Sequence, residues 1–290
     1  MLRCIQLAKN GLGTTYPNPL VGCVIVYENK IIGEGWHEQS GMPHAEVNAI
    51  TSVKNQSLLK NATIYVSLEP CSHFGKTPPC ANLIIEKGIR NVIIGSMDPN
   101  PKVAGNGIKL LKDHECNVVE GILEKECNDL NKRFFTFFKK HRPYIILKWA
   151  ETSDGFISPK NKIEKSPVWI DKNLKIPLEA NVFDNSSKTI VITELKKENK
   201  EHLFYETIDF SKNIAQQICE VIYRHKIQSL IVEGGAKTLQ TFIDKNLWDE
   251  ARIFKGISLF KEGTKAPLLN GNLVSETKIK QDTIKIVLND

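Results

Sequence analysis

The chain has 290 residues, 41% hydrophobic and 25% charged, and at roughly 100–200 residues per domain this predicts two domains, each able to bury a core. Glycine (18) and proline (13) are too few for a collagen-like or disordered chain, and no apolar run approaches the roughly 18 residues of a membrane helix, which excludes a fibrous or integral membrane protein. With 39 basic against 33 acidic side chains the net charge is +6, an excess that suits a phosphorylated small molecule or a nucleic acid without choosing between them. The stretch 1–10 carries Arg3 and Lys9 but no long apolar run or small-residue cleavage site, so a cytoplasmic protein is expected. Seven scattered cysteines make a poor disulfide framework and suit a reducing compartment.

After a short N-terminal helix, residues 21–27 and 31–36 are β-branched apolar runs joined by Glu28-Asn29-Lys30 and read as a hairpin. Residues 45–54 fit a helix, 63–68 a buried strand, 80–87 a helix stopped by Gly88, and 91–95 another strand. One long helix is expected over 123–139. It ends in the basic run Lys139-Lys140-His141-Arg142 before Pro143, where the domain boundary is placed, giving domains 1–142 and 143–290. Beyond it 144–149, 189–193, 229–233 and 283–288 read as strands and 212–224 and 236–245 as helices, so the second half is expected to be α/β with a largely parallel sheet.

His44-Ala45-Glu46 stands at the start of a predicted helix, and Glu69-Pro70-Cys71 and Cys80 lie between a later strand and the helix after it. An imidazole and two thiolates are the three protein ligands of a catalytic zinc that keeps its fourth position for water. His44 and Cys80 fall near helix N-termini, where the dipole favours a thiolate, and Glu46 is placed to reach the water instead of the metal. Taken singly, a histidine beside a helix is usually a satisfied polar residue and a free cysteine a small buried hydrophobe. A closed structural zinc site with His73 as fourth ligand is a further reading, one that leaves Glu46 without a task. The ordered set carries the signal. H-x-E and P-C mark zinc-dependent nucleobase deaminases, in which a metal-activated hydroxide attacks an amine-bearing ring carbon and the glutamate shuttles protons. Here eight residues separate the cysteines instead of two, and the resulting loop carries Lys76, a cation for a phosphate.

The segments Pro17-Asn18-Pro19-Leu20-Val21-Gly22, Gly35-Trp36-His37, Pro43-His44-Ala45-Glu46, Leu68-Glu69-Pro70-Cys71-Ser72-His73, Lys76-Thr77-Pro78-Pro79-Cys80, Asp98-Pro99-Asn100-Pro101 and Val103-Ala104-Gly105-Asn106-Gly107 together resemble the bifunctional riboflavin-biosynthesis deaminase/reductase family. The resemblance implies a cytidine-deaminase-like α/β/α sandwich followed by a dihydrofolate-reductase-like α/β domain. It implies deamination of 2,5-diamino-6-(5-phosphoribosylamino)pyrimidin-4-one, with His44, Cys71 and Cys80 binding Zn2+ and Glu46 as proton shuttle. By the same resemblance Asn18 and His37 contact the base, while Lys76, Asp98 and Asn100 hold the ribose phosphate. Read without the family, 17–19 and 98–101 are turn chemistry.

In the second half Lys148 to Phe156, Val168-Trp169-Ile170 and Val232 to Leu239 resemble the family's reductase domain, which uses NADPH to reduce the ribosyl group to ribityl. By resemblance Ala150, Trp169, Gly235, Ala236, Lys237 and Thr238 meet NADPH, and Asp154 and Glu233 lie near the substrate. A strand ending in Glu233-Gly234-Gly235 and opening a helix offers backbone N–H groups to a pyrophosphate. After Ile170 the chain passes directly to a segment that resembles a later strand of the family, so this half is expected to be shortened by some tens of residues and to orient hydride donor and acceptor less well. Reductase halves of this family pair, which predicts a homo-oligomer through this domain. Two other readings stand beside this one: a nucleic-acid or other nucleobase deaminase, which needs a basic channel with aromatic stacking surfaces, whereas the aromatics of residues 133–140 in a helical pattern read as a core or domain interface, and an inactive zinc-stabilised interaction protein. The expected partner is a phosphorylated small molecule, with no nucleic acid and no membrane.

Overall fold

In the computed structural model the chain separates into two units, Met1–Lys140 and His141–Asp290, and the structure describes residues 1–72, 78–101, 103–159, 170–177, 179–180, 183 and 188–289. The expected break after Arg142 falls slightly too late. Arg142 belongs to the second unit because Asp249 holds its guanidinium at 2.6 and 2.8 Å.

The first unit runs α1 (Leu2–Ala8), β1 (Gly22–Tyr27), β2 (Lys30–Trp36), α2 (Ala45–Ser52), β3 (Thr63–Leu68), α3 (Cys80–Glu86), β4 (Asn91–Ser96), α4 (Asn106–Asp113), β5 (Asn117–Val119), α5 (Glu124–Leu130) and α6 (Lys132–Lys140). The hairpin closes over Glu28 and Asn29, both with positive φ (47° and 60°), the turn geometry whose twist matches that of the paired strands. The sheet order is β2-β1-β3-β4-β5, with β1 antiparallel to β2 and β3, and β3, β4 and β5 parallel. Alternation sends Ile25, Ile64, Val66, Val92 and Ile94 to one face, where Ala49, Ile50, Ala81, Ile84, Ile108 and Leu111 of α2, α3 and α4 cover them. Val24, Val26 and Tyr65 point the other way, against Cys4 and Leu7 of α1. Each large aliphatic side chain buried in this way contributes roughly 1.5–3 kcal/mol, which makes the sheet a firm base for the loops at its edge.

The single helix expected over 123–139 is two helices, α5 and α6, interrupted at Asn131. That residue is buried, and its side-chain amide accepts from Leu20 N and donates to Leu20 O, both at 2.8 Å. The latch holds the segment following Asn18. Helix α4 and the three-residue strand β5 were not among the expected elements.

The second unit contains β6 (Tyr144–Glu151), β7 (Phe156–Pro159), β8 (Thr189–Thr193), β9 (Leu203–Thr207), α7 (Ile214–Arg224), β10 (Ser229–Glu233), α8 (Ala236–Asp244), β11 (Glu250–Lys255), β12 (Gly263–Lys265), β13 (Asn272–Ile279) and β14 (Asp282–Leu288). Its main sheet has the order β10-β6-β11-β14-β13. The expectation of a largely parallel sheet is corrected to a mixed one: β10, β6 and β11 are parallel, and β14 and β13 are antiparallel additions. The tight turn at Lys280 (φ 57°) can join only antiparallel neighbours. Ile145, Leu147, Val232 and Ala251 of the sheet pack on Ile218, Val221 and Ile222 of α7 and on Leu239 and Phe242 of α8. Strand β8 pairs in parallel with β9, and Ile170 bridges to Ile192. No helix among the described residues is long and apolar enough to cross a membrane.

Candidate active site and metal centre

Two glycines in β2 bring α2 onto the sheet. A Cβ on Gly35 would stand 2.4 Å from Ala49 N, and one on Gly33 would stand 2.5 Å from Val53 Cγ2, so helix and strand approach backbone to backbone. Asn48 Nδ2 adds a hydrogen bond to Trp36 O at 2.8 Å. His44 occupies the N-cap of this helix with an extended backbone, and Glu46 lies in its first turn. From the other side, Cys71 follows the end of β3 and Cys80 opens α3, where Cys80 N donates to Cys71 Sγ at 3.4 Å and Ala81 N to Cys71 O at 3.1 Å.

The ligand atoms of His44, Cys71 and Cys80 lie within 4.8 Å of one another, with His44 Nδ1 at 3.6 Å from Cys71 Sγ and 3.3 Å from Cys80 Sγ. A tetrahedral zinc with Zn–S of about 2.3 Å and Zn–N of about 2.0–2.1 Å spans ligand–ligand edges of about 3.6–3.8 Å. The donor set therefore fits the metal, and the two nitrogen–sulfur distances come within a few tenths of an ångström of these edges. In the thiol pair, the hydrogen bond from Cys80 draws Cys71 towards thiolate, while that same contact and burial hold Cys80 as a thiol; a cation that takes both sulfurs must release the remaining proton. Burial pushes the Glu46 carboxyl up to about 7, His44 pulls it down and Cys71 adds to the rise. With 3% exposure, Glu46 is a carboxyl able to hold or give a proton near neutrality.

His37 lies edge-on to His44, with ring centroids 5.3 Å apart. Its Nδ1 stands 3.2 Å from Pro43 O, which can only accept, so Nδ1 carries the hydrogen and Nε2 accepts from Asn18 Nδ2 at 3.1 Å. Both ring nitrogens are thus engaged within the protein, and burial lowers the imidazole's affinity for a second proton. Asn18 is left with its carbonyl oxygen to offer a ligand. Asp98 is buried, accepts from Asn100 N at 2.7 Å, and is pushed up to about 7 mainly by burial. Sequence reading gave no role to Glu69, although it stands directly before Pro70-Cys71. Its buried carboxylate accepts four backbone hydrogen bonds, from Asp98, Gly105, Gly107 and Ile108. The only signal in the sequence was a carboxylate next to a metal ligand. Lys76, His73 and Trp169 lie outside the described residues.

Most of the aromatic run in α6 is taken up in packing: Phe134, Phe135 and Phe137 are buried, and the first two form a core with Leu68, against which the half-buried Phe138 packs. In the second unit the expected residues lie on several elements. Asp154 accepts from Thr152 Oγ1 (2.6 Å), Lys261 N (2.8 Å) and Phe260 N (3.3 Å), and the Thr152 hydroxyl heads the contacts that hold its carboxyl below the usual range. Glu233 forms an ion pair with Lys148 across β10 and β6. Ala150 is exposed on β6. Gly235 is the N-cap of α8, with no side-chain cap and no acidic residue in the first turn formed by Ala236, Lys237 and Thr238. A Cβ on Gly234 would meet Thr238 at an ordinary 3.5 Å, so the protein leaves room there. An uncapped helix start of this kind fits the anionic pyrophosphate of a dinucleotide.

Fold and site together define a zinc-dependent deaminase domain joined to a reductase domain. The family model of the cytidine and deoxycytidylate deaminase zinc-binding region matches residues 1–96, and that of the RibD C-terminal domain matches residues 165–285. The chain belongs to the RibD family of riboflavin-biosynthesis proteins. It is 36% identical to riboflavin biosynthesis protein RibD of Aquifex aeolicus over 317 residues, covering 91% of this chain and 87% of the relative. Its first half is 53% identical over 143 residues to a diaminohydroxyphosphoribosylamino-pyrimidine deaminase of Buchnera aphidicola, covering 49% of this chain and 96% of that protein. Among solved structures, a diaminohydroxyphosphoribosylaminopyrimidine deaminase/5-amino-6-(5-phosphoribosylamino)uracil reductase from Thermotoga maritima superposes with a TM-score of 0.86 at 31% identity, covering 99% of this chain and 97% of that one.

Proposed function

We propose that the first unit hydrolytically deaminates 2,5-diamino-6-(5-phosphoribosylamino)pyrimidin-4-one and that the second reduces the ribosyl group of the product to ribityl with NADPH. The observation that carries the first assignment is the meeting of His44, Cys71 and Cys80 at tetrahedral spacing near a buried, proton-holding Glu46. Zinc held by these three residues would supply the Lewis acid that makes water nucleophilic at neutral pH. The ring carbon gains oxygen from water and loses its amino group as ammonia, so protons must pass from water to the ring nitrogen and the leaving amine. Glu46 is the group placed to carry them. Asn18, oriented by His37, accepts from an N–H on the base; Asp98, Asn100 and Lys76 take the ribose phosphate.

For the second assignment the supporting features are the uncapped start of α8 for the cofactor pyrophosphate and the Lys148–Glu233 pair for the substrate. The match to the Aquifex relative extends over 317 positions although it draws on 91% of a 290-residue chain, so this chain is the shorter of the two over the aligned region, in keeping with a shortened second half. The exposed Leu273 and Val274 on the edge strand β13 favour a homo-oligomer formed through this unit, and the seven free cysteines suit the cytoplasm. The test is to incubate the zinc-loaded protein with the diaminopyrimidine ribotide, with and without NADPH, and to follow ammonia and nicotinamide separately. Ammonia is expected in both cases and NADPH oxidation only after deamination. Absence of ammonia overturns the first assignment; ammonia without NADPH oxidation overturns the second.

A further inference from the structure

We propose that Glu69 is a positioning residue that registers residues 98–101 and 103–107 against the metal centre, and that it thereby governs affinity for the phosphorylated substrate more than bond breaking. The residue stands at the end of β3, where its own N–H donates to Ser96 O at 2.9 Å, and it is separated from the ligand Cys71 only by Pro70. Its carboxylate, 4% exposed, is fully occupied: Oε2 accepts from Asp98 N at 3.2 Å and Gly105 N at 2.9 Å, and Oε1 from Gly107 N at 2.9 Å and Ile108 N at 3.2 Å. These amides bracket the loop that carries Asp98 and Asn100 and continue into the first turn of α4, so the loop closes around one carboxylate. The seam is tight from the other side as well. A Cβ on Gly107 would lie 1.9 Å from Pro70 O, so α4 rests directly on the backbone that leads to Cys71.

No uncharged side chain of similar size reproduces this. A glutamine offers one acceptor oxygen, and its NH2 would oppose two backbone donors, leaving buried N–H groups unpaired. The expected consequence is displacement of residues 98–101 and 103–107 relative to the metal, with His44 at the start of α2 and Cys80 at the start of α3 left in place and Cys71 still held by the amides of Cys80 and Ala81.

The inference rests on the reading that this segment meets the ribose phosphate, and the experiment separates the two. Steady-state deamination is measured for zinc-loaded wild type and Glu69→Gln, with the ribotide and with the same compound lacking its phosphate. Wild type should prefer the ribotide. In Glu69→Gln that preference should fall about tenfold or more, through KM, with kcat at saturation and zinc content retained. An unchanged preference, or a loss of kcat and zinc at constant KM, overturns the proposal, whereas a wild type indifferent to the phosphate overturns the underlying reading. If Glu69→Gln fails to fold, amide exchange on the wild-type holoenzyme replaces it: ribose 5-phosphate should slow exchange at Gly105, Gly107 and Ile108, and unaltered exchange there overturns the proposal.

Discussion

The two units put ionisable side chains to different uses. Around His44 in the first unit, Glu46 and Asp98 are buried and pushed up to about 7 by that burial, and His37 is kept from taking a second proton. In the second unit the comparable groups are paired: Arg142 with Asp249, Lys148 with Glu233, and Arg252 with Glu250. A buried acid without a neutralising partner costs folding free energy and gains a proton affinity useful near neutral pH; an ion pair holds strands in register and leaves both charges fixed. The contrast is between a first unit whose buried acids near His44 hold protons and a second unit whose acids Glu233, Asp249 and Glu250 are taken up in ion pairs.

The sharpest way to break that contrast is Glu46→Gln, expected to slow ammonia release about 10²–10⁴-fold while metal analysis still finds zinc and NADPH oxidation with pre-deaminated substrate is unchanged; normal turnover would remove Glu46 from the chemistry. In the other direction, Arg142→Ala strands the buried Asp249 carboxylate and should cost about 3–5 kcal/mol, seen as a lower urea midpoint with loss of reduction but not of deamination. Equal loss of both activities would contradict separate units. Gly35→Ala forces α2 away from β2 and should destabilise the first unit by about 1–3 kcal/mol, with deamination falling and reduction retained. Asp98→Asn gives the smallest effect. The wild-type carboxyl has a folded pKa of about 7 against about 3.9 unfolded, so folding favours its protonated form and its unfavourable contribution grows as pH rises from about 4 to about 7. The variant does not titrate, so relative to wild type it should gain stability between about pH 5 and about pH 6.5, on the order of 1–2 kcal/mol; thermal melts showing a constant difference would place Asp98 in a less buried setting.

The hairpin, the strands at 63–68 and 91–96, the helices at 45–52 and 80–86 and the metal ligands were legible because each depends on local information: side-chain period, turn residues, and the chemistry of an imidazole with two thiols. The break at Asn131, the partners of His37, the clamp at Glu69 and the antiparallel half of the second sheet were not. Asn131 leaves the helix for Leu20, 111 residues away, and Glu69, just past the end of β3, reaches Gly107 and Ile108. Residue type alone therefore specified which groups could bind a metal and move a proton. Which polar atoms are consumed within the protein, and which remain for a ligand, was decided only when distant backbone donors and acceptors had to be paired in the buried interior.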